Sequence, residues 1–244
     1  MAAERADHFS VRLFRTALTG ALLAAAVPFP ARAADAAAAG GDWYATVVVV
    51  GGAAEVTRLD IDGMAAPYVE SGWQAVGGGG VRVGRIWRDL PLRTELEVVH
   101  RYRFDLDVRS PSPAGLLDFE TNIGTTSAML NLWVEHRGDR LGGDWPVTPF
   151  IGVTAGWARH HVETIRTVLA TGDRSDEHEA TDVFAWGLGA GASWDFADRW
   201  TAEAVWRYMN LGEVSTGTLE TGESYEAGAY SSHDLVLGLR YRFR

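Results

Sequence analysis

The chain has 244 residues, 28 glycines, no cysteine and a formal net charge of −10, with every basic residue an arginine. The acidic balance argues against nucleic acid as a partner, because phosphates need an excess of cations. The lack of cysteine excludes a disulfide framework, so an exported domain of this size must be held by burial and backbone pairing.

Taken in chain order, the first element is a leader. Arg12 and Arg15 flank an apolar stretch over about 17–29, and Ala31-Arg32-Ala33 then places small residues where a signal peptidase reads. The pattern predicts a signal peptide over 1–33 and one domain over 34–244. No later apolar run is long enough for a spanning helix.

Eight segments of strand character follow, at about 43–50, 72–84, 92–106, 125–136, 147–162, 181–196, 200–211 and 231–243. The connections alternate. Long polar gaps at 51–71, 107–124, 164–179 and 212–230 alternate with short turns at 85–91, 137–146 and 197–199. Within the third segment, Arg93, Glu95, Glu97, Val99, Arg101, Arg103 and Asp105 fall on one face. Thr94, Leu96, Val98, His100, Tyr102 and Phe104 fall on the other, since strand side chains alternate. The sixth segment puts Phe184, Trp186, Leu188, Trp194 and Phe196 opposite Gly187, Gly189 and Gly191. In the seventh, Trp200, Trp206 and Tyr208 oppose Glu203 and Arg207. In the last, Leu235, Leu237, Leu239, Tyr241 and Phe243 oppose Asp234, Gly238, Arg240 and Arg242.

Charges of both signs on one face, with an apolar face ending in aromatics, predict lipid outside and a polar lumen inside. A soluble lipocalin-like barrel reverses this arrangement. The expected fold is therefore all-β: an eight-stranded antiparallel up-and-down transmembrane β-barrel in the outer membrane of a Gram-negative bacterium, with no separate periplasmic domain. Trp194, Phe196, Trp200, Tyr241 and Phe243 are expected to form a periplasmic aromatic girdle, and Trp73, Tyr102, Phe104, Trp157 and Tyr208 an outer one.

Four stretches carry a family resemblance. They are Pro149-Phe150-Ile151-Gly152-Val153-Thr154-Ala155-Gly156-Trp157, the Gly-alternating run from Phe184 to Trp194, Trp206-Arg207-Tyr208-Met209-Asn210-Leu211-Gly212, and the closing Gly238-Leu239-Arg240-Tyr241-Arg242-Phe243. Together they resemble the small outer-membrane barrel family, often called the porin family, that includes Opa-type surface antigens and the OmpA-type transmembrane domain. The resemblance implies partners: outer-membrane lipid and lipopolysaccharide, ligands on host or other cell surfaces reached through the outer loops, and the assembly machinery. For the last, Gly238, Tyr241 and Phe243 are similar to the signal that machinery reads. The loops at 51–71 and 212–230 are the expected contact loops.

Alternation puts Arg93, Glu95, Glu97, Arg101, Arg103, Glu135, Glu203, Arg207, Arg240 and Arg242 in the lumen. Buried charges must come in compensating sets, so they are expected to form an ion-pair network that plugs the barrel, because eight strands leave no open channel. The alternative is a small ion or solute channel gated by those pairs. A third reading is an outer-leaflet lipid-modifying enzyme. Lipid A deacylases place a His and a Ser two apart, and here the only His-x-Ser is His8-Phe9-Ser10, inside the leader. His160-His161 with Glu163 could suggest a metal or catalytic pair, but such spacing is common, and the favoured reading is an interfacial polar belt at the strand tip. Asp60-Ile61-Asp62-Gly63 starts like a calcium loop but lacks the later ligands. The expectation is no enzyme, no cofactor and no metal, with a structural or surface-interaction role.

Overall fold

In a computed structural model of the chain, the described residues are 42–56, 59–61, 68–69, 73–87, 89–112, 115–136, 147–172, 174–218 and 224–243. The expected leader and the turn at 137–146 lie outside them.

Eight long strands make the wall: β1 (Asp42–Val56), β4 (Gln74–Trp87), β5 (Leu92–Ser112), β6 (Gly115–Glu135), β7 (Val147–Val168), β8 (Arg174–Ala197), β9 (Trp200–Thr218) and β10 (Ser224–Arg242). Two short strands, β2 (Leu59–Ile61) and β3 (Tyr68–Val69), pair with β10 and β5. Each long strand pairs antiparallel with its neighbour in sequence. The ring closes where β1 meets β10, from Tyr44 opposite Arg242 to Val56 opposite Tyr230. Closure leaves no edge within the wall, which is what a sheet in hydrocarbon requires.

The strands run further than the hydrophobic pattern predicts. The gap expected at 164–179 is mostly a hairpin: β7 continues to Val168, β8 begins at Arg174, and a turn at Leu169–Gly172 joins them. Likewise β5 and β6 pair up to Ser112 opposite Gly115, and β9 and β10 up to Thr218 opposite Ser224. The physical reason is that the apolar alternation ends where lipid ends. Backbone pairing does not need it and continues beyond the outward apolar belt, with Val168 and Val214 buried on the inner face.

A second difference lies in β5. The β5–β6 register shifts between Arg101, opposite Thr125, and Phe104, opposite Ile123. A bulge inserts an extra residue and interrupts the alternation, so parity counted from Arg93 does not fix the faces of Arg103 and Phe104. The side chains of Arg103 and Phe104 lie outside the described set.

The wall is inverted relative to a soluble protein. Leu96, Ile151 and Trp157 face outward with 67%, 65% and 68% of their surface exposed, within a continuous apolar belt that includes Val83, Leu130, Leu188, Leu237 and Leu239. The interior is closed in two storeys. Toward the end where β1 begins and β10 ends, charged and aromatic side chains fill the lumen. Beyond them is an apolar storey of Ile123, Met129, Val162, Met209, Leu211, Val214 and Tyr230. Gly212 lies at a bulge in β9, where the β9–β10 register shifts between Asn210 opposite Ser231 and Glu213 opposite Ala229. Its φ of 80° is the left-handed conformation open to glycine, and its N–H donates to Asn210 Oδ1 at 3.0 Å. Among the described residues the β8–β9 ladder ends two residues earlier, at Trp186 opposite Asn210. Leu211 and Val214 are buried in that storey.

Candidate functional site

The lumen network joins residues on adjoining strands and residues across the bore. Glu97 on β5 accepts from Arg82 Nε on β4 at 2.5 Å and from Arg207 Nη1 on β9 at 2.7 Å. Glu203 on β9 accepts from Arg82 Nη1 at 2.5 Å, from Arg93 Nη1 at 2.9 Å, and from Arg240 Nη2. Glu95 accepts from Tyr44 Oη at 2.8 Å, Trp133 Nε1 at 2.8 Å and Asn131 Nδ2 at 3.2 Å. Arg93 also lies 3.2 Å from Glu135. One level further along the axis, Arg101 Nη2 donates to Asp234 Oδ2 at 2.6 Å and Arg101 Nη1 donates to Ser127 Oγ at 3.1 Å. The buried arginines Arg82, Arg93, Arg101, Arg207 and Arg240 are thus matched by Glu95, Glu97, Glu135, Glu203 and Asp234, and the formal charges cancel. Aromatic rings flank the cations: Arg240 lies 4.6 Å over Tyr44, and Arg93 lies 4.5 Å over Phe150. The space for these chains comes from glycine. A Cβ on Gly84 would overlap the Tyr44 ring, and one on Gly238 would press on Glu203.

Of the residues expected in the network, Arg93, Glu95, Glu97, Arg101, Glu135, Glu203, Arg207 and Arg240 come together in the lumen. Arg242 does not. It sits at the rim, partly exposed, 3.0 Å from Asp195, because it lies in the last strand turn beyond Arg240. Sequence reasoning left out Arg82, Asp234, Tyr44, Asn131 and Trp133. Arg82 had a legible signal: it interrupts Val81 and Val83, whose side chains are exposed on the belt while its own is buried.

The aromatic residues divide between the two ends. Trp200 and Tyr241 pack at 4.9 Å, Trp194 and Phe196 at 5.8 Å, and Tyr241 and Phe243 at 5.8 Å, all near the short-turn end. Near the other end, His233 is ringed by Trp73, Trp206 and Tyr208, with centroids at 5.3, 5.6 and 5.3 Å. Trp157 and Tyr102 are exposed on the wall there. Trp206 and Phe184 share this outward face and were not assigned to a girdle from sequence.

The His160-His161 pair is split by the pleat. His160 is fully buried, with Nε2 donating to the Leu211 carbonyl at 2.9 Å and Nδ1 against Thr125 Oγ1 at 2.9 Å. His161 faces outward. Neighbours on opposite faces share no ligand. Among the described residues no group of three or more His, Cys, Asp or Glu is placed to hold a metal ion. The side chains of Asp60 and Asp62 lie outside the described set.

A closed ring of eight long strands, with apolar side chains outward and a charge-balanced interior, defines an integral β-barrel of the bacterial outer membrane. The family model for the outer membrane protein β-barrel domain matches residues 19–243, and the chain belongs to that family. It is 27% identical over 185 residues to the outer membrane protein PagN of Salmonella typhimurium, covering 70% of this chain and 74% of PagN. It is 28% identical over 170 residues to an outer membrane protein of Gluconacetobacter diazotrophicus, covering 62% of this chain and 43% of that one. Among solved structures, Neisserial surface protein A aligns with a TM-score of 0.49 and 14% identity, over 82% of this chain and 97% of that chain. The protein resides in the outer membrane, as the relatives' names state for them.

Proposed function

We propose that this protein is a structural and surface-interaction barrel, serving envelope integrity or adhesion, and that it neither conducts solute nor catalyses a reaction. The observation that carries this reading is the filled lumen. The guanidinium–carboxylate storey spans the bore from Arg82 to Glu203, and the apolar storey around Met209 and Tyr230 stacks on it. A water-filled path would have to break several buried pairs at once, and each lone buried charge costs several kcal/mol. The second support is length. Strands β5 to β8 have 21 to 24 residues, against roughly 9–11 needed to cross the hydrocarbon. The excess carries the hairpins beyond the membrane, where surface ligands on other cells are within reach. Export through the leader ending at Ala33, and delivery by assembly machinery reading Gly238, Tyr241 and Phe243, belong to the same proposal.

The test is conductance of the purified protein in planar bilayers, paired with adhesion of cells that display it. Silence in the bilayer, with adhesion that falls when the β7–β8 hairpin is shortened, is the expected result. Steady porin-like openings would overturn it and favour the channel reading.

A further inference from the structure

Along its outer half, β8 is paired on one edge and, among the described residues, bare on the other. The β7–β8 ladder runs unbroken from Val147 opposite Trp194 to Thr167 opposite Arg174. The β8–β9 ladder starts at Ala197 opposite Trp200 and stops at Trp186 opposite Asn210. The next rung would set Phe184 against Gly212. There β9 turns its polar groups elsewhere. Gly212, at φ 80°, gives its N–H to Asn210 Oδ1 at 3.0 Å, and the Leu211 carbonyl accepts from His160 Nε2 at 2.9 Å. Beyond that point β9 stays with β10, up to Thr218 opposite Ser224, while β8 continues beside β7.

Backbone alternation identifies the groups left bare. A residue in an antiparallel ladder turns both its N–H and its C=O to one neighbour, and the next residue turns them to the other. His136 N–H donates to the Pro149 carbonyl at 2.9 Å, so odd-numbered residues of β7 turn to β6 and even-numbered ones to β8. Through the unshifted β7–β8 register, His160 then bonds with Thr181 and Val162 with Glu179. His178, Ala180 and Asp182 turn their N–H and C=O the other way, to the side that β9 has left, and all three residues are exposed. The depth suits a bare edge. Trp157 and Phe184 form the last apolar row, and in the next Arg159 pairs with Asp182 at 2.8 Å. Within hydrocarbon every backbone group must be paired, and past it water serves instead.

A bare edge is a template for another strand, and the chemistry here selects which one. Over 174–182 the edge carries no proline and no bulge that would blunt it. The charges of this stretch and of the neighbouring β9 stretch over 211–218 are Asp176, Glu177, Glu179, Asp182 and Glu213, against Arg174. A second copy of β8 would bring the same acids opposite, and like charges across a ladder are destabilising. On the outward face His178 and Ala180 border a hollow of about 430 Å³, shared with Tyr102, Gly124 and His161, which leaves room beside the edge for a partner's side chains. We infer that the β8 edge at His178, Ala180 and Asp182 is a strand-addition site, and that it takes an extended segment of another protein with lysines or arginines at alternate positions. Backbone bonds supply the affinity, and the acids choose the partner. The inference deepens the proposed surface-interaction role and rests on the placement of this hairpin outside the cell.

The test uses the full barrel in phosphatidylcholine nanodiscs and three peptides of about eight residues, the length of a strand. One alternates lysine and valine, the second is its fully N-methylated form, with the same charge and no backbone N–H, and the third alternates glutamate and valine. Binding is followed by calorimetry and by amide hydrogen exchange. The lysine peptide is expected to bind, the methylated form about tenfold more weakly or worse, and the acidic one not at all. Amides of His178, Ala180 and Asp182 are expected to exchange fast in the free barrel and to slow when the lysine peptide binds, while those of Glu179 and Thr181 are slow throughout. Ala180→Pro removes an N–H from the bare edge and none from the β7–β8 ladder. It is expected to weaken the lysine peptide about tenfold, with heat-modifiable gel migration kept. If that variant fails to fold, the methylated peptide on the unaltered barrel decides. Equal binding of the methylated and unmethylated peptides would mean charge alone and overturns strand addition. Slow exchange of the three amides without peptide overturns the bare edge, and slowing that grows with barrel concentration assigns it to a second copy instead. Failure of the surface role shows in the adhesion assay and leaves the peptide and exchange readouts standing.

Discussion

Arg82 Nη1 donates to Glu203 Oε1 at 2.5 Å across 121 residues of sequence. Their strands, β4 and β9, share no ladder, so this bond braces opposite walls of the barrel. Arg82 also holds Glu97, which makes it the cation on which two buried carboxylates depend.

Replacing Arg82 by methionine is therefore expected to lower folding stability by about 3–5 kcal/mol, since it leaves the lumen one positive charge short, with Glu97 held by Arg207 and Glu203 by Arg93 and Arg240. The check is the urea midpoint of heat-modifiable mobility in lipid vesicles. Adding Glu203→Gln to Arg82→Met is expected to recover part of the loss, because the residual charge imbalance falls. Equal loss in the single and double variants would contradict the brace.

Trp133→Phe keeps the ring beside Phe150, which it meets at 5.3 Å, but removes the Nε1 donor to Glu95. A hydrogen bond to a charged acceptor contributes about 1.5–3 kcal/mol. Destabilisation of that size, by the same unfolding assay, is expected, with the closed barrel still formed.

The belt predicts a depth profile. Leu96→Arg, on the exposed apolar wall, is expected to cost about 2–4 kcal/mol, as a charge at mid-bilayer does. Asp182→Arg, beyond the last apolar row, is expected to cost about 0–1 kcal/mol on the same scale, plus the exposed pair it makes with Arg159. Folding titrations in vesicles compare the two. Equal costs would mean that Leu96 does not meet lipid.

Gly212→Ala puts a Cβ on a residue at φ 80°, close to Val183. Strain of about 1–2 kcal/mol is expected, released by opening of the β9–β10 hairpin rather than of the wall. Limited proteolysis of intact cells reads this out: faster cleavage in the β9–β10 hairpin, with heat-modifiable migration unaltered.

Much of this architecture was legible in the chain. Alternation from Arg93 to Arg101 sorts buried from exposed side chains correctly, because a pleated strand offers two faces and lipid and lumen demand opposite chemistry. The same rule failed where its premise failed. A bulge after Arg101 shifts the register, and no local residue pattern announces it. The strand ends beyond 162 and before 181 were invisible for a different reason: a paired strand in water has no apolar face to show. Arg82 follows a run of four glycines that shows no alternation, so its face is legible only from the valines on either side.

By itself the sequence determined the class of fold and its orientation toward lipid, since these follow from residue type and a period of two. Tertiary structure alone decided which carboxylate each arginine meets, that β9 shifts register at Gly212, and that Tyr102, Gly124, His161 and His178 surround one hollow. Those relations join strands far apart in the chain. They depend on the register of the closed ring, which the order of residues along any one strand does not specify.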